Sequence, residues 1–259
     1  ARRHRLFLRQ FPITCETGPG SPSGHCMITG AALWPLVTAL SARAAQRYRS
    51  PAARWLPVAV YLLFLLAVGL SRVFVLAHFP HQVLGGIVAG VALGWGLQAC
   101  PPPARSLRFY GATALGLLLG ALGLHRAMAA AGIDIDWSIR LASSWCSNPS
   151  WLRLDTRPFA SVCRDAGSAL GLGLALNPPR FLSGGVRDLP PQPQLRVLGA
   201  LLALGVLEGL QRVPQPAAEP LWYGAACLRH AAGPCLVAVA LPRLLRALGG
   251  APPAPPHAE

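Results

Sequence analysis

Two short polar stretches contain the residue types that chemistry needs, and each abuts a long apolar segment. The first is Pro22-Ser23-Gly24-His25, and the second runs from Arg72 to His78 with five residues between them. An imidazole can transfer a proton near neutral pH or attack an electrophile, and a guanidinium can bind two oxygens of one phosphate. Two histidines and an arginine at the ends of apolar segments therefore predict a site that transfers a phosphoryl group.

The first stretch predicts an anion site at the start of a helix. It follows a turn-rich run, 17–21, and leads directly into an apolar segment. Free N–H groups and the positive end of the helix dipole favour an anion there, and Gly24 would let a phosphate approach the backbone beside Ser23. His25 would then protonate a leaving alkoxide. Taken alone, the same residues also fit a simple helix cap.

The second stretch predicts a phosphate clamp beside a nucleophile. Arg72 lies at the end of an apolar segment, where insertion into lipid would cost about 2.5–3.5 kcal/mol, so it should face water or an anion. His78 follows in a short loop before Pro80, a residue suited to the first turn of the next helix. A histidine in that loop could attack phosphorus and hold the phosphoryl group. Taken singly, either residue also fits a polar anchor at the membrane interface.

The composition predicts an all-α, polytopic transmembrane helix bundle. The chain has 259 residues, of which 53% are hydrophobic and only 12% are charged. A spanning helix needs about 20 mainly apolar residues. Seven segments of the chain approach that length: 26–42, 55–72, 82–99, 107–125, 159–176, 196–211 and 220–245.

The charge pattern indicates topology and excludes a nucleic-acid partner. The formal net charge is +14, yet no compact basic motif interleaved with aromatic residues occurs, and the arginines fall mostly between the apolar segments. Cytoplasmic loops carry an excess of basic residues, and the loop from Arg43 to Arg54 is the strongest such signal. It predicts that His25 and His78 lie on the opposite, non-cytoplasmic side, together with the polar segment 134–157.

Glycine spacing predicts where helices pack closely. Gly86, Gly90 and Gly94 recur every four residues on one face of the third segment, which would let a neighbouring backbone approach. Gly116 and Gly120 predict the same role in the fourth segment. Glycine is also frequent in this chain, with 27 residues, so its presence alone does not specify a contact.

The cysteines predict neither a zinc site nor a dense disulfide framework. The chain has seven cysteines without any Cys-x-x-Cys pair. Only Cys15 and Cys146 fall in segments predicted to lie outside the bilayer on the side of the histidines, so these two could form a bond. The proline-rich tail, 250–259, is predicted to be disordered.

Two strings resemble signature motifs of the glucose-6-phosphatase family, a membrane branch of the type 2 phosphatidic acid phosphatase superfamily. They are CETGPGSPSGH at 15–25 and SRVFVLAHFPHQ at 71–82. The strings GHCMITGAALWP at 24–35 and DTRPFAS at 155–161 are more similar to the ubiquitous third catalytic branch of the family than to the liver branch. The resemblance implies one transmembrane phosphatase domain over 1–259.

The resemblance also implies a role for each site residue. His78 would be the nucleophile that becomes phosphohistidine, His25 the donor of a proton to the departing sugar oxygen, and Arg72 the phosphate clamp. Ser23 and Gly24 would help to bind the phosphate. Gln82 would orient the nucleophile, at a position where the wider superfamily has an aspartate. The family needs no metal or other cofactor.

The implied function is hydrolysis of glucose-6-phosphate, or a related sugar phosphate, in gluconeogenesis. The family is multi-pass in the endoplasmic reticulum membrane with a lumenal active site, so the bilayer and a glucose-6-phosphate transporter are the implied partners. Two alternatives stay open. A lipid phosphate phosphatase shares the Ser-Gly-His and Arg-x5-His elements, and a non-catalytic membrane protein could keep the fold.

One family motif is missing from the sequence. A lysine followed by an arginine–proline pair should precede His25, but the chain contains no lysine, and Arg157-Pro158 lies too far downstream to substitute. The family has nine spanning helices, so the resemblance predicts that two helices and this motif precede Ala1. The chain as given is therefore expected to be inactive, whereas the full-length protein is expected to be active.

Overall fold

The computed structural model describes residues 11–18, 20–48, 50–100, 105–177 and 192–249, and all regular secondary structure in these ranges is helical. The predicted disordered tail, 250–259, lies outside the described residues. Pro19, in the turn-rich run 17–21 (the glycine-rich turn), also lies outside them. The helices are α1 Gly24–Tyr48, α2 Pro51–Phe74, α3 Pro80–Ala99, α4 Leu107–Ala130, α5 Trp137–Trp145, α6 Pro158–Leu176, α7 Pro193–Arg212, α8 Glu219–Cys235 and α9 Leu241–Leu248.

Six helices in the described ranges are long and apolar enough to cross a membrane, which confirms the all-α transmembrane bundle. The seventh predicted segment, 159–176, does form a helix, α6, but α6 is not one of these six. It is 19 residues long and carries Arg164 and Asp165, which lower its mean hydropathy. The six spans are Gly24–Tyr48, Ala52–Phe74, Pro80–Ala99, Leu107–Ala130, Pro193–Arg212 and Glu219–Leu248.

Proline fixes where several helices begin. The first residues of α2, α3, α6 and α7 are Pro51, Pro80, Pro158 and Pro193. Proline is favourable there because its missing N–H would have no partner within the helix and its φ angle already suits the first turn. The loop that carries His78 therefore ends at a defined position, Pro80.

The contacts divide the chain into two compact units. The first combines Ala1–Pro103 with Ser138–Arg153, and so contains α1, α2, α3 and most of α5. The second combines Ala104–Trp137 with Leu154–Glu259, and contains α4 and α6 to α9.

Close packing of α1 against α3 organises the first unit and confirms the predicted role of the glycine series. A Cβ atom added to Gly86 would lie 2.6 Å from the carbonyl oxygen of Ser23, and one added to Gly90 would lie 2.5 Å from that of Met27. A Cβ on Gly94 would lie 2.6 Å from the Cβ of Trp34. Only glycine lets the α3 backbone approach α1 this closely.

A buried tyrosine joins α2 to α1. The hydroxyl of Tyr61 donates a hydrogen bond of 2.8 Å to the carbonyl oxygen of Gly30, and its ring meets that of Trp34 edge to face at 6.2 Å. Val37 and Leu65 are buried beside it. The three helices that carry the candidate site residues are thus fixed to one another.

A disulfide links the segment before α1 to the segment after α5. Cys15 and Cys146 are bonded, with Cα atoms 6.2 Å apart, so the pairing that the sequence left open is formed. Nearby, the Ser138 hydroxyl donates a hydrogen bond of 3.0 Å to the carbonyl oxygen of Thr17. Both contacts lie within the first unit and hold the polar segment that leads into α1.

In the second unit, the predicted packing role of Gly116 and Gly120 is wrong. A Cβ atom on either would meet nothing within 4 Å among the residues that the structure describes. The close approach occurs instead on α6, where a Cβ on Gly167 or Gly171 would overlap the backbone carbonyls of α8. A Cβ on Gly173 would overlap Tyr110 of α4. Small residues on α6 therefore allow α8 and α4 to pack closely against it.

An ion pair joins the beginnings of α6 and α8, which run parallel. Arg157 precedes α6 and donates to Oε1 of Glu219, the first residue of α8, while the Tyr223 hydroxyl donates to the same oxygen at 2.8 Å. Burial lowers the pKa of Arg157, but the hydrogen bond and charge of Glu219 outweigh this effect and raise that pKa above its ordinary value. Ala160, Trp222 and Ala226 form a small core beside the pair.

Candidate active site

The predicted site residues all fall in the first unit, at the ends of its three long helices. Helix α1 begins at the predicted anion site, Ser23 and Gly24. Helix α2 ends just after the predicted clamp, Arg72, and α3 begins just after the predicted nucleophile, His78. The residues in chain order are Ser23 before α1, Gly24 and His25 in its first turn, Arg72 in the last turn of α2, His78 in the following loop, and Gln82 in the first turn of α3.

The loop between α2 and α3 reverses the chain within five residues, 75–79. The amide of Val75 donates to the carbonyl of Ser71, and the amide of Ala77 donates to that of Arg72 at 3.0 Å. Leu76 has a φ angle of 59°, a left-handed conformation that is uncommon for a residue with a branched side chain. This tight turn keeps His78 close to the end of α2, which carries Arg72.

The imidazole of His78 is oriented by the backbone of the glycine-rich turn. Its Nδ1 atom lies 2.9 Å from the carbonyl oxygen of Gly20. A carbonyl oxygen only accepts hydrogen bonds, so the contact requires the proton on Nδ1. In the neutral ring Nε2 then carries the free lone pair. The structure thus presents Nε2 as the reactive nitrogen.

Gln82 contacts both the loop that carries His78 and the turn-rich run 17–21 with the Ser23 that follows it. Its Oε1 atom accepts a hydrogen bond of 3.0 Å from the amide of Phe79, and its backbone oxygen accepts one of 2.9 Å from the amide of Ser23. Its side-chain amide also abuts Gly20, because a Cβ added there would lie 3.3 Å from Nε2 of Gln82. These contacts fix the turn that carries Gly20, and the Gly20 carbonyl in turn contacts His78.

Arg72 is buried with unused hydrogen-bond donors. It is 6% exposed, and its Nε and Nη2 atoms have no hydrogen-bond partner in the described part of the chain. The nearest carboxylate, that of Glu16, lies 4.0 Å from Nη2 and is itself 40% exposed. The Ser23 hydroxyl is fully buried and likewise has no partner among the described residues. Buried donors of this kind fit an anion with several acceptor oxygens, such as phosphate.

His25 is exposed at the start of α1, within the electrostatic field of the other site residues. Arg72, Glu16 and His78 lie near enough for their charges to act on its imidazole. The structure therefore brings an accessible imidazole, an oriented imidazole and a buried guanidinium into one region. An accessible imidazole can deliver a proton to a leaving group, while the other two groups hold and attack a phosphate.

The sequence interpretation did not assign a role to two residues of this region. Gly20 supplies the carbonyl that orients His78, and Glu16 supplies a carboxylate beside Arg72. Glu16 gave a weak signal, since it is an acidic residue in the same polar segment as Ser23. Gly20 gave none, because its contact uses a backbone atom and joins residues 58 positions apart.

The known proteins that this chain is similar to belong to one superfamily. The sequence pattern of the PAP2 superfamily matches residues 4–106, which include the site residues. Glucose-6-phosphatase 3 of Mus musculus is 50% identical over 248 residues, which cover 95% of this chain and 71% of that protein. Its Homo sapiens counterpart is 49% identical over 235 residues, covering 91% of this chain and 67% of that protein.

A second group of relatives is more distant. Glucose-6-phosphatase 2 of Homo sapiens is 35% identical over 246 residues, covering 91% of this chain and 68% of that protein. No solved structure matches this chain.

Proposed function

Because this chain belongs to the glucose-6-phosphatase family within the PAP2 superfamily, we propose that it hydrolyses glucose-6-phosphate to glucose and phosphate. Family membership and the apolar helices make it a membrane phosphatase whose substrate is a phosphate ester. The sugar phosphate itself is proposed from the names of the relatives. The observation that carries the proposal is Arg72, a buried guanidinium with unused donors beside an oriented histidine.

In the first step, the Nε2 lone pair of His78 attacks phosphorus and an N–P bond forms. The bond between phosphorus and the sugar oxygen breaks, and its electron pair stays on that oxygen. His25 donates a proton to the oxygen, so glucose leaves as the neutral alcohol. Arg72 binds two phosphoryl oxygens and offsets their negative charge throughout this step.

In the second step, water attacks the phosphohistidine. His25, now neutral, accepts a proton from the water, the N–P bond breaks, and its electron pair returns to Nε2 of His78. The hydrogen bond from Nδ1 to the Gly20 carbonyl supports the positive charge that the ring carries while it holds the phosphoryl group. Gln82 acts by fixing that turn, and Ser23 and Gly24 bind the phosphate at the start of α1.

The proposed location is the endoplasmic reticulum membrane, with the site on the lumenal side. The arginine-rich stretch from Arg43 to Arg54, which covers the end of α1 and the start of α2, favours the cytoplasm, and the site lies at the other ends of these helices. The disulfide between Cys15 and Cys146 supports an oxidising compartment on the site's side. A lumenal site needs substrate from the cytosol, so a glucose-6-phosphate transporter is the proposed partner.

Phosphate release from two substrates tests the proposed specificity. The full-length protein in microsomes is offered glucose-6-phosphate or phosphatidic acid, each with and without the Arg72→Gln substitution. We expect glucose-6-phosphate to be hydrolysed. We expect Arg72→Gln to lower kcat/KM by about 100-fold or more, because the positive charge and the two hydrogen bonds to phosphate oxygens are lost. The matched control is Arg54→Gln, an exposed arginine on the same helix.

Two results would contradict the proposal. Faster hydrolysis of phosphatidic acid than of glucose-6-phosphate would indicate a lipid phosphate phosphatase of the same superfamily. Absence of hydrolysis with both, in a protein that melts cooperatively, would indicate a membrane protein that keeps the fold without the chemistry.

A further inference from the structure

The second unit contains a cavity that the proposed catalytic cycle does not use. It has a volume of about 320 Å³ and lies among α6, α7 and α8. That volume falls in the range of sites that hold small molecules in proteins. Its lining combines the polar residues Ser168, Gln211, Arg229 and His230 with apolar residues that include Leu207 and Val237.

The polar residues lie at one end of the cavity, where Leu210 accompanies Gln211, and the lining at the other end is apolar. Arg229 and Val237 are eight positions apart in the chain, which corresponds to about 12 Å along a helix. Helix α7 runs antiparallel to this chain segment, since Gly199 faces Leu245 whereas Leu207 faces Gly233. Gln211 therefore lies toward the Arg229 end. The cavity has the polarity of an amphiphile with a head and a hydrocarbon tail.

The polar end lies level with the last turn of α7, and Arg229 lies ten residues inside the span Glu219–Leu248, whose 30 residues exceed the roughly 20 that a bilayer needs. Helix α7 is a candidate membrane span that ends at Arg212, directly after Gln211. The end of a spanning helix lies at the membrane boundary, where lipid headgroups are found. The apolar end, at Leu207 and Val237, extends from that level into the spanning region. A lipid in this cavity would keep its normal depth in the bilayer.

The charge at the polar end is unbalanced in favour of an anion. Arg164 pairs with Asp165 at 3.4 Å, and Arg212 pairs with Glu208 at 3.0 Å. By contrast, Nε of Arg229 is buried and has no hydrogen-bond partner in the ranges that the structure describes. A buried donor without a partner is costly, and a guanidinium matches phosphate oxygens well.

We propose that this cavity binds an anionic phospholipid, with its phosphate at Arg229 and one acyl chain along Leu207 and Val237. The cation at the polar end selects the anionic head. The apolar end selects a hydrocarbon tail over a free sugar phosphate. The site is separate from the residues proposed to carry catalysis, so it does not depend on the proposed substrate.

Native mass spectrometry of the purified full-length protein tests whether the cavity prefers a lipid with an anionic headgroup. The probe is phosphatidylinositol, and phosphatidylcholine is the zwitterionic comparison. We expect Arg229→Gln to reduce the phosphatidylinositol affinity about tenfold, because a charge-assisted hydrogen bond is lost, and to change phosphatidylcholine binding little. Arg212→Gln is the matched control, since this arginine is at the same end of α7 but exposed and paired. Equal phosphatidylinositol binding by wild type and Arg229→Gln would overturn the proposal.

Two further measurements test whether the cavity binds the acyl chain. One of them uses the wild-type protein, so it does not depend on a variant that could misfold. Gly233→Leu places a side chain toward Leu207, where a Cβ alone would lie 3.4 Å from its Cδ2 atom, and should exclude the acyl chain while Arg229 remains. We expect it to weaken phosphatidylinositol binding, and soluble glycerophosphoinositol not to displace the lipid. Displacement by the soluble headgroup at equal concentration would overturn the lipid assignment in favour of a simple anion site. Unchanged binding by Gly233→Leu would also overturn it.

Discussion

The contact between His78 and Gly20 determines which ring nitrogen keeps a free lone pair. The Gly20 carbonyl fixes the proton on Nδ1, so Nε2 keeps its free lone pair. This holds whichever side chain occupies position 82 in α3. The orientation of the ring therefore needs no carboxylate at position 82. Gln82 needs only to hold the turn in place, and its contacts with Phe79, Ser23 and Gly20 do that.

A substitution at Gly20 tests this route. A Cβ atom would lie 3.3 Å from Nε2 of Gln82, so Gly20→Ala should push the Gln82 amide by a few tenths of an ångström and disturb its hydrogen bond to the amide of Phe79, next to His78. Misplacement of a reacting group by a small distance is costly, and we expect kcat to fall about tenfold or more with little change in KM. Steady-state kinetics of the full-length protein measure both constants. Gly116→Ala, in open space, is the control.

If the Gly20 carbonyl has no positioning role, Gly20→Ala will change kcat no more than Gly116→Ala does. A larger rise in KM than fall in kcat would also contradict the account, because it would indicate a defect in substrate binding. The rate of phosphoenzyme formation should follow kcat, whereas a purely structural defect would lower the amount of folded protein instead.

Local sequence contained the residues of the site but not all of their contacts. Ser23, His25, Arg72 and His78 could be predicted because their motifs lie at helix ends, where apolar segments meet turn residues. The partner of His78 could not, because it is a backbone atom far away in the chain. The partnerless donors of Arg72 also required the structure, since burial depends on how three helices meet.

Among the secondary-structure elements, the pairing of α1 with α3 has the strongest steric requirement. Gly86, Gly90 and Gly94 place the α3 backbone against α1, and the same contact sets the distance between the predicted anion site and Gln82. The glycine series was predictable from its four-residue spacing. The same spacing at Gly116 and Gly120 was misleading, because spacing does not specify whether a neighbour faces those residues.

Gly90→Val should therefore destabilise the first unit. A Cβ atom there would lie 2.5 Å from the Met27 carbonyl oxygen, a rigid backbone atom. Overpacking of this kind costs about 1–3 kcal/mol or more, so we expect a lower melting temperature in detergent and a lower yield of folded protein. Gly120→Val, which meets nothing within 4 Å, is the matched control. Equal melting temperatures for the two variants would contradict the proposed close packing.

For the whole molecule, one covalent bond joins segments that are distant in the chain. Cys15 and Cys146 are separated by 131 positions, and the bond lies on the side of the first unit that carries the site residues. Sequence alone selected this pair only by elimination, from their predicted side of the membrane. The division into two compact units was not predicted, because the segment 138–153 joins the first unit through long-range contacts.

Loss of this disulfide should reduce stability. We expect Cys146→Ser to lower the free energy of unfolding by about 2–4 kcal/mol, because the unfolded chain regains the freedom that the long loop had lost. Melting temperature and mobility on a non-reducing gel measure the effect. Cys100→Ser, at an exposed free cysteine, is the control. Identical melting temperatures and mobilities for Cys146→Ser and wild type would show that the bond does not form.

In the proposed mechanism, His78 carries the phosphoryl group. The direct measurement incubates the full-length protein with glucose-6-phosphate labelled on phosphorus, followed by a rapid quench at alkaline pH, where phosphohistidine survives. We expect label on wild type and on His125→Ala, a matched histidine in the second unit, and none on His78→Ala. Label that persists in His78→Ala, or glucose release by that variant at the wild-type rate, would contradict it.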